Sequence, residues 1–195
     1  MDWAYGWMRN ILAYFNLWDL QAKMVFVGLD NAGKTTLLGM LKDDKLRSTQ
    51  PTFQPNQEDM KLGCVTFRTF DLGGHKGARP LWRDYFIEVD VIVFLVDASN
   101  RDRFEESYEA LAGILKNDEL AHVPVVVLGN KIDRPTAVSE RELREALDLA
   151  GTTTGKGKAK LRTNQRPLEL FMCSVVKRCG YMEAFQWVAQ YVQGK

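Results

Sequence analysis

The 195 residues include 46% hydrophobic and 26% charged side chains, values that suit one domain long enough to bury a core. The formal net charge of +1 provides no basic field, so we expect no nucleic-acid partner. The three cysteines, Cys64, Cys173 and Cys179, lack the spacing of a zinc site or a disulfide framework, and no apolar run approaches the roughly 20 residues that span a bilayer.

The first twenty residues are rich in aromatic side chains. On a helical projection, Trp3, Trp7, Ile11, Phe15 and Trp18 fall on one side, and a narrow polar sector lies opposite. Trp and Tyr favour a membrane interface because each joins an apolar ring to a polar group. The pattern predicts a membrane-binding amphipathic helix over 1–20, and a helix packed on the domain's own core is the open alternative.

Strands and helices alternate along the rest of the chain. The predicted strands are 24–27, an antiparallel pair within 60–70 that turns at Gly63, 91–96, 125–128 and 168–172. The predicted helices are 34–42, 104–116, 139–149 and 181–192, the third with a capping box of Ser139 and Glu142. We therefore expect an α/β fold: a mostly parallel open sheet with one antiparallel edge strand and helices on both faces. Its ligand should lie at the carboxyl ends of the strands.

A phosphate-binding loop is predicted between the first strand and the first helix. Residues 28–35 read GLDNAGKT and match G-x-x-x-x-G-K-[ST] in the strand–helix context that the motif requires. Gly28 and Gly33 allow backbone N–H groups to point at phosphate oxygens, and the helix N-terminus adds partial positive charge. Lys34 supplies a cation for the β- and γ-phosphates, and the Thr35 hydroxyl can bind Mg²⁺.

A second motif follows the strand that ends near residue 70. It reads DLGGH and begins at Asp71. A carboxylate at the end of a strand can hold a metal ion through one of the metal's bound waters, and the Gly74 N–H can be donated to a γ-phosphate. This motif therefore predicts a metal and a terminal phosphate at the same edge of the sheet as the phosphate loop.

A base-recognition motif, NKID at 130–133, follows the strand at 125–128. The Asp133 carboxylate can accept from both N1–H and the exocyclic amine of guanine. Adenine has neither donor there and would leave the carboxylate unpaired, a mismatch that can cost a factor of roughly 10⁴. Lys131 can lie along the base, and Asn130 can tie this loop to the phosphate loop. The sequence therefore predicts a guanine nucleotide.

These motifs resemble those of the small GTPases of the Ras superfamily, and more narrowly those of the Sar branch, which is related to Arf. The resemblance rests on GLDNAGKTT at 28–36, QPTFQP at 50–55, DLGGH at 71–75, GNKID at 129–133 and FMCSV at 171–175. The histidine of DLGGH discriminates this branch most sharply, because most other small GTPases of the superfamily have glutamine there. The resemblance covers nearly the whole chain and implies a membrane helix over 1–20 and a GTPase domain over 21–195.

The resemblance also implies a role for each site residue. His75 should orient the attacking water, since an unperturbed imidazole is mostly neutral at cytosolic pH. The implied phosphate-binding residues are Asn31, Ala32, Gly33, Lys34, Thr35, Thr36 and Gly74. The implied guanine-binding residues are Asn130, Lys131, Asp133, Cys173, Ser174, Val175 and Val176. The implied metal ligands are Thr35, Thr52 and Asp71, and Asp30 is a further candidate.

The implied activity is GTP hydrolysis with Mg²⁺, as part of a cycle between GTP-bound and GDP-bound states. Hydrolysis should be slow until a partner inserts an arginine, because no arginine near Thr52 is placed to stabilise the developing charge. The implied partners are a membrane-bound exchange factor, lipid of the endoplasmic reticulum (ER), and inner COPII coat subunits that act as effector and GTPase-activating protein. The chain should be cytoplasmic and cycle to the cytosolic face of the ER membrane during ER-to-Golgi transport.

Other functions stay open on the residues alone: an Arf-like GTPase of another membrane, a nucleotide-locked scaffold, or a P-loop enzyme acting on a small substrate. NKID argues against the last. The basic stretch at 152–167 contains five cations and no acidic residue. It predicts a solvated, mobile loop, with a contact to a headgroup or partner as the alternative.

Overall fold

The computed structural model describes residues 21–43, 56–62, 65–71, 74, 77, 79–157, 161 and 165–192. The strands are β1 (Gln21–Gly28), β2 (Asn56–Leu62), β3 (Val65–Asp71), β4 (Val91–Asp97), β5 (Val125–Asn130) and β6 (Leu168–Met172). The helices are α1 (Lys34–Asp43), α2 (Trp82–Tyr85), α3 (Phe104–Leu115), α4 (Glu140–Ala146) and α5 (Tyr181–Ala189), with 3₁₀ turns at Arg79–Leu81, Arg101–Arg103 and Asp118–Leu120. Within these residues, no helix is both long enough and apolar enough to cross a bilayer. The predicted helix over 1–20 and the turn at Gly63 lie outside the described residues.

The described strands form one sheet in the order β2-β3-β1-β4-β5-β6. Strands β3, β1, β4, β5 and β6 are parallel, and β2 pairs antiparallel with β3 at one edge. The predicted fold class is confirmed. The register aligns Asp71 with Phe26 and Asp97 with Asn130, so the loops after β1, β3, β4 and β5 leave the same edge of the sheet.

The core has two layers, one on each face of the sheet. In β4, Val93 and Leu95 pack with α1 and α5, whereas Ile92 and Phe94 pack with α2, α3 and α4. Successive side chains of a strand point to opposite faces, so a strand covered on both faces is apolar at every position. This explains the unbroken apolar run that predicted β4. The packing on both faces also holds in place the edge of the sheet from which the loops leave.

Helix α4 is shorter than the predicted 139–149. It begins with the predicted capping box, in which the Ser139 N–H donates to the Glu142 carboxylate (2.9 Å) and the Glu142 N–H donates to the Ser139 hydroxyl (3.3 Å). It ends at Ala146, and Asp148 then takes a left-handed conformation with φ of 51°. Leu147 and Leu149 remain buried, so the apolar spacing continues beyond the point where the helix stops.

The basic stretch at 152–167 is not a purely solvated loop in its described part, and the prediction is wrong there. Arg166 donates to the carbonyls of Leu115 (3.1 Å) and Ala121 (3.3 Å), at and beyond the end of α3. Lys156 pairs with Glu140 at 2.7 Å and lies over the ring of Phe171. Both cations therefore hold the stretch against the domain. Residues 158–160 and 162–164 lie outside the described residues.

A buried carboxylate of the sheet anchors the start of the basic stretch at 152–167. Glu169 of β6 is 1% exposed and accepts from the Gly155 N–H at 2.7 Å, from its neighbour Leu170 N–H at 2.9 Å, and from Arg144 of α4. The Trp187 indole donates to the Gly155 carbonyl at 2.8 Å. A buried charge is tolerated when it is paired and hydrogen-bonded in this way.

We predict that Glu169→Ala destabilises the protein by about 3 kcal/mol, because it leaves the partly buried Arg144 without this partner and the Gly155 N–H without an acceptor. The matched control is Glu145→Ala. Its pair with Arg141 on the same helix as Arg144 is exposed, and its removal should cost less than about 0.5 kcal/mol. Denaturant unfolding of both variants measures the difference, and equal losses would contradict the proposed anchor.

Candidate nucleotide site

The phosphate loop joins β1 to α1 and is shaped by glycines in left-handed conformations. Gly28 has φ of 130° and Gly33 has φ of 103°. A Cβ atom at Gly28 would lie 2.2 Å from the Leu95 carbonyl oxygen, and one at Gly33 would lie 2.4 Å from the Asn130 amide nitrogen. Neither position accepts a side chain, so the loop can curl tightly between β4 and the loop after β5.

Lys34 is fixed over this loop. It is 5% exposed, and its ammonium donates to the carbonyls of Gly28 (3.0 Å) and Leu29 (2.9 Å). Thr35 and Thr36 follow in the first turn of α1, where backbone N–H groups have no intrahelical acceptor. The loop thus combines an ammonium, a helix N-terminus and hydroxyl groups, which is the chemistry that a polyphosphate requires.

Asn130 joins three loops through one side chain. Its amide N–H donates to the Ala32 carbonyl at 2.9 Å, and its amide oxygen accepts from the Val175 N–H at 3.1 Å. The residue is 3% exposed. The phosphate loop, the loop after β5 and the loop after β6 therefore hold fixed positions relative to one another, as required of a pocket that binds a base and its phosphates together.

The base-recognition carboxylate is oriented by the loop after β6. Ser174 is fully buried, and its hydroxyl donates to the Asp133 carboxylate and accepts from the Lys177 N–H at 3.0 Å. The Ile132 N–H donates to the Cys173 carbonyl at 3.2 Å. These bonds bring the sequence-predicted residues 130–133 and 173–175 together, while the Asp133 and Val176 side chains remain exposed.

Asp97 is a site residue that the sequence analysis missed. It ends β4, and its carboxylate accepts from the Lys131 ammonium at 2.7 Å and from the Ser99 N–H at 3.0 Å. Burial raises its pKa, but the hydrogen bonds from Lys131 and Ser99 outweigh burial and hold the pKa of Asp97 below its ordinary value. Its place at the carboxyl end of a central strand was the available signal.

Asp30, the candidate metal ligand inside the phosphate loop, faces Arg103. The guanidinium donates to the Asp30 carboxylate at 2.8 Å and to the Asp30 carbonyl at 3.1 Å. The hydrogen bond from Arg103 holds the pKa of Asp30 below its ordinary value despite partial burial. In this arrangement the carboxylate is committed to a cation of the chain itself.

Gly74 is packed directly on the phosphate loop. A Cβ atom there would lie 2.1 Å from the Asp30 nitrogen and 2.6 Å from the Gly28 carbonyl oxygen. Any side chain there would push Gly74 away from the phosphate loop. The implied N–H donor to a terminal phosphate is thus placed beside Asp30 and Gly28.

The described candidate ligands for a Mg²⁺ ion, Thr35 and Asp71, have the chemistry that this ion requires. Thr35 lies in the first turn of α1, and Asp71 ends β3 at the register position of Phe26, two residues before Gly28. A hydroxyl and a carboxylate are the hard oxygen ligands that Mg²⁺ prefers. The predicted ligand Thr52 and the predicted catalytic His75 lie outside the described residues.

We predict that Asp97→Asn lowers the affinity for guanine nucleotides about tenfold, because Lys131 loses a charged hydrogen bond worth about 1.5 kcal/mol. Isothermal calorimetry with GDP measures the change. Asp118→Asn, an exposed aspartate after α3, is the control and should bind as the unaltered protein does. Unchanged GDP affinity in folded Asp97→Asn protein would show that Asp97 does not position Lys131.

Comparison with known proteins agrees with this geometry. The model of the ADP-ribosylation factor family matches residues 8–192. A small COPII coat GTPase SAR1 from Giardia intestinalis is 46% identical over 186 residues, which cover 95% of this chain and 97% of that protein. A small COPII coat GTPase SAR1 from Nicotiana tabacum is 43% identical over 200 residues, which cover 99% and 98% respectively.

A solved structure extends the likeness to the fold. The Arl6 BBS3 small GTPase from Trypanosoma brucei, with the bound nucleotide analogue GppNp, aligns with a TM-score of 0.74 and 30% sequence identity. The alignment covers 87% of this chain and 96% of that one. The resemblance to the Sar branch is confirmed by the two relatives named above. The chain belongs to the ADP-ribosylation factor family of small GTPases.

Proposed function

We propose that this protein is the small GTPase that initiates COPII coat assembly at the ER membrane, switching between GDP-bound and GTP-bound states. One observation carries the nucleotide part of the proposal. Ser174 holds the Asp133 carboxylate, and Asn130 bonds the phosphate loop to the loop that carries Ser174; we call these bonds of Asn130 the Asn130 junction. The coat part is supported by the two relatives, at 46% and 43% identity, that carry the COPII name.

Guanine selectivity follows from the geometry of Asp133. The Ser174 hydroxyl occupies one carboxylate oxygen and thereby orients the group. An oriented carboxylate needs hydrogen-bond donors in fixed positions. Guanine offers two N–H donors there, and adenine offers none. The Lys131 ammonium, held by Asp97, lies at the same site and can cover the base.

The chemistry of hydrolysis is assigned on the family pattern. Mg²⁺ would be held by Thr35, Thr52 and Asp71, and would neutralise charge on the β- and γ-phosphates; Asp30, bound to Arg103, is the weakest member of this set. His75 would orient the attacking water. Phosphoryl transfer needs positioning and charge neutralisation above all, so we expect slow turnover as long as no free arginine reaches the γ-phosphate.

Arg103 does not supply that free arginine. It reaches the phosphate loop, but its guanidinium donates to the carboxylates of Asp30 and Glu106. We therefore propose that acceleration comes from a partner, an inner coat subunit that acts as both effector and GTPase-activating protein. A membrane-bound exchange factor would load GTP.

Membrane recruitment is assigned to residues 1–20. In the GTP state this segment would insert Trp3, Trp7, Ile11, Phe15 and Trp18 into ER lipid, and in the GDP state the protein would return to the cytoplasm. A ligand shifts such an equilibrium only through different affinities for the two states. The proposal therefore requires the nucleotide pocket and the N-terminal segment to be coupled.

Two alternatives differ from this proposal in observable ways. An Arf-like GTPase of another membrane would share the nucleotide site but would not recruit COPII subunits, and the identity of 30% with the Arl6 structure compared with 46% for the SAR1 relative favours the COPII assignment. A nucleotide-locked scaffold would bind GTP without hydrolysing it. The presence of His75, Thr52 and Asp71 in the sequence argues against a scaffold.

The nucleotide proposal is tested by calorimetry with GDP, GppNp, ADP and an ATP analogue in excess Mg²⁺. We predict a preference for guanosine over adenosine nucleotides of about 10³-fold or more, and a loss of GDP affinity of about 100-fold or more in Asp133→Asn, since an amide N–H would face the donors of guanine. Asp148→Asn is the matched control. It makes the same change at an exposed site whose left-handed backbone tolerates asparagine.

The membrane proposal is tested by flotation with liposomes. We predict that the GppNp-bound protein floats, that the GDP-bound protein stays in solution, and that a Trp3→Ala, Trp7→Ala double variant fails to float because it loses most of the inserted aromatic area. Asn16→Ala, on the polar sector of the helix, should float as the unaltered protein does. Equal flotation with both nucleotides would remove the switch, and full flotation of the double variant would remove the anchor.

A further inference from the structure

Four charged side chains of alternating sign connect Gly74 to the phosphate loop. Arg79 donates to the Gly74 carbonyl at 3.0 Å and to the Glu106 carboxylate at 2.7 Å. The other oxygen of Glu106 accepts from Arg103 at 2.9 Å, and Arg103 donates to the Asp30 carboxylate at 2.8 Å. We call Asp30, Arg103, Glu106 and Arg79 the charge chain.

The two ends of the charge chain lie close together, because Gly74, which is bound by Arg79, packs against the backbone of Asp30. Its hypothetical Cβ atom lies 2.1 Å from the Asp30 nitrogen, and its carbonyl is held by Arg79. The charges of the chain sum to zero, and each ion pair is partly buried, with side-chain exposures between 18% and 38%. Charges in such an environment are screened less than fully exposed ones.

Arg103 is held in place from two directions. It is the last residue of the turn that precedes α3, and its carbonyl accepts from the Ser107 hydroxyl at 2.9 Å. Glu106, in the first turn of α3, binds its guanidinium, and Arg79 holds Glu106 in turn. The guanidinium is therefore already ordered beside Asp30 before a nucleotide binds, so it loses little conformational entropy when binding occurs.

A carboxylate inside a phosphate loop repels the negatively charged phosphates that the loop binds. Asp30 lies among the residues that wrap phosphates, close enough to the Lys34 ammonium for their charges to interact. A triphosphate carries more negative charge than a diphosphate, so an uncompensated carboxylate would repel the triphosphate more strongly. Arg103 supplies the compensating positive charge.

We propose that Arg103 is a specificity-determining residue that raises the affinity for GTP relative to GDP, by neutralising Asp30 at the phosphate loop. The inference rests on the proposed assignment of residues 28–35 to the phosphates. Arg103 acts through Asp30 and touches no nucleotide, so its effect should disappear when the Asp30 charge is removed. It should also weaken at high salt, which screens the repulsion.

The test compares the ratio of GppNp affinity to GDP affinity in excess Mg²⁺. Arg103→Gln should lower this ratio about threefold to tenfold, the range for partly exposed charges. In an Asp30→Asn background the same change should alter the ratio less than about twofold, and about 0.5 M salt should reduce the loss in the single variant. Arg103→Lys keeps the positive charge and should retain most of the ratio.

The matched control is Arg101→Gln, two residues away in the same turn. Arg101 pairs with Glu142, both are more exposed than the charge chain, and the ratio should not change. If Arg103→Gln does not fold, Asp30→Asn alone decides, measured without Mg²⁺ so that the candidate metal role of Asp30 does not contribute. This variant leaves an uncompensated guanidinium beside the loop and should raise the ratio.

Three results would overturn the proposal: equal losses for both nucleotides in Arg103→Gln, a loss that persists in the Asp30→Asn background, or a lower ratio in Asp30→Asn measured without Mg²⁺. Failure of the unaltered protein to bind either nucleotide would instead refute the proposed function. The two failures are therefore distinguishable in one set of titrations.

Discussion

The nucleotide site depends on one buried amide. Parallel strands bring several loops to one edge of the sheet, but loops that only share an edge are free to move apart. Asn130 removes that freedom by donating to the phosphate loop and accepting from the loop after β6. It is buried at the end of β5, a strand packed on both faces, so the junction inherits the rigidity of the core. Asn130 thus links the phosphate loop to both loops that carry the predicted guanine-binding residues.

Around that junction, each functional group is held by a partner of opposite character. Lys131 is paired with Asp97, the Asp133 carboxylate with the Ser174 hydroxyl, and the Asp30 carboxylate with Arg103. Oriented groups lose little freedom when a ligand arrives, so more of the contact energy appears as affinity. The Lys131–Asp97 and Asp30–Arg103 pairs are each neutral overall.

The sequence was informative where function is encoded in consecutive residues. Residues 28–35 and 130–133 are contiguous and follow recognisable buried strands, so both the strands and the motifs could be predicted together. The pairings of Asp97 with Lys131 and of Arg103 with Asp30 could not be predicted, because the partners lie 34 and 73 residues apart and no local pattern links them. The error at 152–167 has a similar origin: composition counts the cations but does not show that Arg166 meets carbonyls near the end of α3. His75, Thr52 and the segment 1–20 stay predictions, because they lie outside the described residues.

The Asn130 junction also links ligand binding to the lifetime of the fold. Its three loops are held to one another by side-chain bonds and lie at the open edge of the sheet, where a guanine nucleotide would bridge them. A ligand that binds only the folded state stabilises it in proportion to the logarithm of its concentration over its dissociation constant. A bound guanine nucleotide would therefore add to the stability of the fold, and we expect a variant that binds the base more weakly to be less abundant in cells, because chaperones and proteases act on the unfolded fraction.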